Sequence, residues 1–348
     1  MLKGEMVDKV PFTIYECMLP QCEVERSLRN QGLCIINRRF PVYKSISPNV
    51  KEESIHFAED GASYVKTMIK TPKGNLSCIR KQTVEWTSWS VEKIFKTPED
   101  YNAIEFMIRD REYLPDYEPF IKAQEQMGGD IFLRAGIPNA PLHQMIYDIM
   151  GIETFSIEWA ERKQEVLNLC DVLTEEIDKV LPIVAKSPAL AINFGGNFAP
   201  EVLGKERFVE YVLPYLNESA EILHQSGKLV GSHLDANNKL WAEEIADSKL
   251  DYIEAFTPSP DTDMSLAEAR KIWRGKTLWI NFPSSVHLAS IKIIEETTKR
   301  LLYEAAPGDR FLIGITEDLP ENRWQESFCA ISRAIEKHGQ LPIKKTES

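Results

Sequence analysis

In the second half of the chain, short apolar runs alternate with longer stretches whose apolar residues recur every three to five positions. The short runs are 188-PALAINF-194, 228-KLVGSH-233, 251-DYIEAF-256, 277-TLWINF-282 and 310-RFLIGIT-316. Each precedes an amphipathic stretch, at 205–225, 238–247, 265–273, 288–305 and 321–338, as a strand followed by a helix requires. In 205–225, Phe208, Tyr211, Val212, Tyr215, Ala220 and Leu223 form one helical face, and Pro214 predicts a kink. Ser265 with Glu268 three residues on predicts a capping box, and Gly275 a helix stop. Five βα units in series predict a parallel sheet. The earlier runs 10-VPFTIYE-16, 130-DIFLRA-135 and 152-IETFSIE-158, with a helix at 161–185, bring the strands to eight. The predicted fold is an α/β (β/α)8 TIM barrel, one domain over residues 1–348. A doubly wound sheet ranks second because no GxGxxG turn follows a strand.

Residues 33–90 break the alternation. Three runs there, 34-CIINRRFPVY-43, 63-SYVKTMIKT-71 and 76-LSCIRKQTVEW-86, read as antiparallel strands, the last two joined by the turn residues 72-PKGN-75. They predict an antiparallel β insertion after the first barrel strand.

Charge narrows the partners. The 348 residues carry 41 Lys+Arg against 53 Asp+Glu, a formal charge of −12, which disfavours nucleic acid or an anionic membrane as the main partner. No apolar run reaches the roughly 18–20 residues of a membrane span, and MLKGEMVDKV has no apolar signal-peptide segment, so a cytoplasmic protein is expected. The six cysteines are scattered without a CxxC pair and are expected to be reduced thiols, leaving metal chemistry to His and carboxylates.

In such barrels the chemistry sits at the C-terminal strand ends. Those positions read Glu16, Arg134, Glu158, Asn193, His233, Glu254, Asn281 and Glu317. One imidazole and two carboxylates at neighbouring ends, His233, Glu254 and Glu317, suit a three-ligand metal site with an open position, and Asp235 is a fourth candidate. Ion pairing and helix capping are the plainer roles for the same carboxylates. Asn193 and Asn197 flank paired glycines in 193-NFGGNFAP-200, a loop whose backbone is able to approach a ligand closely. Trp86 and Trp89 either line an aromatic substrate pocket or pack the insertion. Trp241, Trp273 and Trp279 are expected in the core, and His287 as a cap or surface residue.

Several segments carry a resemblance: 208-FVEYVLPYLNESAEILHQSG-227, 228-KLVGSHLDAN-237, 278-LWINFP-283, 311-FLIGITEDLPENRW-324 and 70-KTPKGNLS-77. Through them the chain resembles the uroporphyrinogen decarboxylase superfamily, in particular its cobalamin-dependent methyltransferase branch. The resemblance implies the same barrel. The Arg-Gln-Ala-Gly-Arg stretch of true decarboxylases has no match here, and Arg134 is the main cationic residue expected at the mouth. Where thiol-methylating members bind zinc through His-x-Cys and a later Cys, this chain has His233-Leu234-Asp235 and Glu317. Carboxylates in place of thiolates would leave zinc harder and more electrophilic, which suits an ether oxygen better than a thiol.

The expected activity is therefore removal of a methyl group from a methyl ether, aromatic by expectation, and its transfer to Co(I) of a partner corrinoid protein carrying cobalamin. His233, Glu254 and Glu317 would hold the zinc as catalytic ligands, with Asp235 as substitute, and Asn193, Asn197, Trp86 or Trp89 would meet the substrate. A metal-free decarboxylase-like lyase acting on a small acid, and a non-catalytic binding barrel, are the alternatives.

Overall fold

The structure, a computed structural model, describes residues 1–84, 87–317 and 319–344. It divides into two compact units. The first comprises Met1–Pro41, Tyr117–Ile137 and Ala185–Ser348, and the second Val42–Asp116 and Pro138–Val184.

The first unit holds the barrel. Its parallel staves are Phe12–Tyr15, Leu33–Asn37, a third stave in two pieces (Ile131–Leu133 and Ala135–Ile137), then Ala191–Phe194, Leu229–His233, Tyr252–Phe256, Thr277–Asn281 and Phe311–Ile315. The third stave closes the ring. Its first piece pairs with Leu33–Asn37 and its second with Ala191–Phe194, and Arg134 alone separates them. The Arg134 backbone stays bonded through the break, donating to the Asn37 carbonyl at 3.2 Å and accepting from the Phe40 N–H at 2.7 Å. The five C-terminal βα units appear where periodicity places them. The Ser265–Glu268 capping box forms. A π-turn at Phe208–Val212 precedes Pro214, so the helix absorbs the missing proline N–H by widening one turn.

Large residues fill the barrel interior. Tyr15, Ile36, Tyr252, Trp279 and Leu312 form one buried cluster. The Trp279 indole N–H donates to Thr13 Oγ1 at 2.8 Å and the Tyr252 hydroxyl to the Ile192 carbonyl at 2.8 Å, so their polar atoms are satisfied there. Gly231 is required beside Tyr252, because a Cβ on it would lie 2.1 Å from that ring. Trp241, Trp273 and Trp279 are all buried, as expected.

Three expectations change. The run 152–158 is helical, within Ile152–Glu161, with Phe155 and Glu158 three apart on its buried face. Glu158 bonds to Tyr101 and Arg162 in the second unit and is not a stave end. The run 34–43 is divided: Leu33–Asn37 pairs parallel to the first stave, so the antiparallel insertion follows the second stave, not the first. His287 is neither surface nor cap. It is 1% exposed in the turn Ser284–Leu288, its Nδ1 2.5 Å from Ser327 Oγ and its ring between Phe282 and Phe328.

In the second unit, Lys51–Glu59, Ala62–Thr71, Gly74–Val84 and Thr87–Glu92 form an antiparallel sheet in chain order, and Tyr43–Ile46 pairs with Glu112–Pro115. The predicted hairpin turns over Pro72-Lys73, where Thr71 Oγ1 accepts from the Lys73 N–H and donates to the Gly74 carbonyl. None of the six cysteines is disulfide-bonded, and no helix among the described residues is long and apolar enough to cross a membrane.

Candidate active site

A cavity of about 520 Å³ opens at the C-terminal ends of the staves, lined by Tyr15, Glu16, Arg38, Arg39, Arg134, Asn193, the 195–197 loop, His233, Asp235, Thr316 and Glu317. Alternation within each strand explains the convergence: Tyr15, Asn193 and His233 stand at or near the last position of their staves. Glu254 lies one layer beneath, wholly buried. The pairing of its strand shifts register between Glu254 and Phe256, and Ala255 takes φ +60°. This bulge ends the inward alternation at Glu254, and Phe256 turns to pack on Trp273.

Glu254 is the hub. Its Oε1 accepts from the Tyr15 hydroxyl and, at 3.0 Å, from Arg134 Nη2. Its Oε2 lies 2.7 Å from His233 Nδ1 and 3.3 Å from Asn193 Nδ2. Burial would raise this carboxyl, but Arg134 and then His233 outweigh it and hold the group well below the usual carboxylate range. Burial would lower His233, but the charge of Glu254, with help from Asp235, raises its pKa to about 10. His233 is therefore an imidazolium at neutral pH, bonded to Glu254 through Nδ1, with Nε2 3.5 Å from Asp235 Oδ2 at the cavity. Burial and the Glu254 charge raise the Tyr15 phenol well above its ordinary value, so it stays a proton donor.

The predicted metal set does not assemble. Each Glu254 oxygen already takes two donors, so Glu254 orients His233 and has no lone pair facing the cavity. Among the described residues no three His, Cys, Asp or Glu side chains are spaced to hold a metal ion. His233, Asp235 and Glu317 all face the cavity, yet as placed they do not fit a zinc ion. Asn193 and Asn197 both line the cavity, Asn197 at φ +69°. The adjacent glycine serves a different approach from the one expected. A Cβ on Gly196 would lie 1.6 Å from the His233 carbonyl oxygen, so the loop packs on the backbone of the next stave. Trp89 stands in the second unit at 70% exposure, and Trp86 lies outside the described residues. Asn281 turns from the mouth and binds the Thr316 N–H at 2.9 Å.

Sequence reasoning missed Tyr15, Arg38, Arg39 and Thr316. Tyr15 reads as one more apolar strand residue, and the arginine pair was placed in the insertion. Its position just past the second stave makes the mouth more cationic than Arg134 alone.

A sequence model of uroporphyrinogen decarboxylase (URO-D) matches residues 90–335, more than two thirds of the chain. The chain belongs to the uroporphyrinogen decarboxylase family. This URO-D chain is similar in fold to a methyltransferase from Methanosarcina mazei, at 12% identity over 74% of each chain with a TM-score of 0.52. It also aligns with a pneumococcal exo-β-D-N-acetylglucosaminidase at 10% identity over 98% of this chain and 88% of that one, at a TM-score of only 0.38. No curated protein sequence matches it.

Proposed function

We propose that this URO-D family member is a methyltransferase that takes the methyl group of a methyl ether and delivers it to a corrinoid protein. The observation that carries the reading is the His233–Glu254 pair, a charged acid whose Nε2 faces the cavity. The fold neighbour from Methanosarcina mazei, itself a methyltransferase, supports it. An unactivated ether leaves as an alkoxide, a poor leaving group, so a proton delivered to the oxygen is what the barrel must supply. A partner's corrinoid in its Co(I) state, when bound at the mouth, would supply the electron pair for the methyl carbon. As the carbon–oxygen bond breaks, its pair stays on oxygen, which takes the His233 Nε2 proton and departs as the alcohol. Asp235, beside Nε2, hands a solvent proton back to the ring. Glu254 stabilises the imidazolium before transfer, and Arg134 and Tyr15 keep Glu254 ionised and fixed.

Replacing His233 by Asn tests this. Methyl transfer to reduced corrinoid protein should fall roughly 100- to 10,000-fold, with the fold intact by circular dichroism. Unchanged transfer would refute the acid role, and one bound zinc per purified chain would return the ether oxygen to a metal.

A lyase reading has one observation in its favour: Arg38, Arg39 and Arg134 line the same cavity and suit a carboxylate. There His233 would protonate the carbanion left as carbon dioxide departs. Carbon dioxide release without corrinoid selects it.

A further inference from the structure

The four-stranded antiparallel sheet of the second unit has two edges, and they are guarded differently. Unpaired N–H and C=O groups along a strand edge invite another strand, and proteins block this with bulges, prolines or very short edge strands. At one edge, Thr87–Glu92 pairs with Gly74–Val84 through two register shifts, between Ile79 and Arg80 and between Gln82 and Val84, which break the ladder. At the other edge, Lys51–Glu59 pairs with Ala62–Thr71 over nine unbroken positions. Among the described residues no strand lies on its outer side. It contains no proline, and all nine of its residues are exposed.

The open strand is complementary to itself. Its charges lie at the ends, Lys51, Glu52 and Glu53 at one and Glu59 at the other, around the centre Ser54-Ile55-His56-Phe57-Ala58. Ile55 and Phe57 share one face, where Phe57 stacks on Tyr64 at 5.3 Å and Lys81 and Trp89 continue the row across the sheet. Two copies of one strand set antiparallel, edge to edge, are related by a two-fold axis normal to the sheet. The same face of each then lies on the same side, so the axis must pass through a residue and its copy. With Ile55 on the axis, all nine residues pair. Ser54 meets the partner's His56, Glu53 the partner's Phe57, Glu52 the partner's Ala58 and Lys51 the partner's Glu59. Opposite charges meet at both ends and no like charges face each other. Glu53, diagonal to the partner's Glu59, is already paired with Lys70 at 2.8 Å. Centring on Ser54 leaves Glu59 beyond the partner strand, and centring on His56 sets Glu53 against the partner's Glu59.

We propose that Lys51–Glu59 is a homodimer interface, at which a second copy of this chain adds its own Lys51–Glu59 antiparallel, Ile55 against Ile55, joining two four-stranded sheets into one of eight strands. A different protein would have no need of this self-match; the strand carries the complement of its own charges. Backbone hydrogen bonds supply the affinity, and the Lys51–Glu59 pairs fix the register. The interface uses no residue of the barrel mouth, so it stands whatever reaction the mouth performs.

Sedimentation velocity of the full chain at micromolar concentration should show a dimer. Ile55→Asp sets two carboxylates on the axis and should weaken the dimer about tenfold or more, with unchanged circular dichroism because the side chain is exposed. Lys51→Glu and Glu59→Lys should each weaken it severalfold, and the two together should recover most of the loss. Cross-linking reads the register. Ile55→Cys should form an intermolecular disulfide under mild oxidation, because Cα atoms directly opposite in an antiparallel pair lie about 4.5–5.5 Å apart. Phe57→Cys, on the same face but opposite the partner's Glu53 and not its own copy, should not. A monomeric wild-type chain, a dimer equally tight in Ile55→Asp, or equal cross-linking of the two cysteine variants would overturn the proposal. A chain that is monomeric alone, and whose Ile55→Asp variant loses binding to a corrinoid protein, would give the strand to that partner instead.

Discussion

Two histidines show how one side chain type is set to opposite states by its neighbours. His233 faces the Glu254 and Asp235 carboxylates and is held charged. Burial lowers the pKa of His287 to about 4, with Asp261 opposing and Arg323 assisting, so it stays neutral against Ser327. Sequence placed His233 correctly, because it ends an apolar run. It misplaced His287, because nothing local tells a helix-start histidine from one pressed between two phenylalanines of distant segments. The state of His287 has a consequence for stability. A base whose folded pKa lies below its unfolded value binds more protons when unfolded, so its contribution is complete above about pH 6.5 and is lost as pH falls toward 4. Between these limits the loss is about 3 kcal/mol. Urea unfolding of the wild-type chain should show this fall from pH 7 to 5, a range above the titration of Glu254, whose pKa is depressed. His287→Gln should flatten the slope over that range. An equal slope in both proteins would mean His287 protonates freely in the fold.

At the level of elements, what depends on local pattern was legible and what depends on pairing was not. The five βα units of the second half were readable because each strand is a continuous apolar run and each helix carries a clear face. The run 152–158 is short, and its apolar residues fit period two and period 3.6 nearly equally; Gly151 at φ +84° starts a helix there. The run 34–43 was rightly a strand, but no residue in it announces a parallel partner, so Arg38 and Arg39 went unrecognised at the mouth. The Gly195–Gly196 pair was legible as a close approach, though its partner was not. That contact is testable. Gly196→Ala pushes a Cβ into the His233 carbonyl, a backbone atom unable to swing away, and should cost roughly 2 kcal/mol or more while disturbing His233. Gly275→Ala meets nothing within 4 Å and should leave the melting temperature unchanged or slightly higher. Equal melting behaviour of the two variants would show that the 195–197 loop is free to move off the stave.

For the whole molecule, methyl transfer as proposed asks the barrel for position and a proton, and the described residues lining the cavity include no nucleophile strong enough to break an unactivated carbon–oxygen bond. None of the six cysteines lines the cavity, and those with a shifted pKa, Cys34 and Cys170, are raised by burial, the wrong direction for a thiolate. Methyl transfer as proposed must therefore be a two-protein reaction, with the ether held in this chain and the corrinoid brought to the mouth. A formal charge of −12 shapes that encounter. An acidic chain speeds the approach of a partner with a basic rim, and the attraction fades once the screening length drops below the separation of the two surfaces, about 10 Å at 0.1 M salt and about 3 Å at 1 M. With the ether saturating, the apparent second-order rate constant for the corrinoid protein should fall about tenfold between low and high salt, while the turnover number at saturating partner stays nearly constant. The chain alone should leave methyl ethers intact over the same time. Demethylation without a corrinoid would remove the need for a partner, and a rate indifferent to salt would mean that the two proteins meet through apolar contacts.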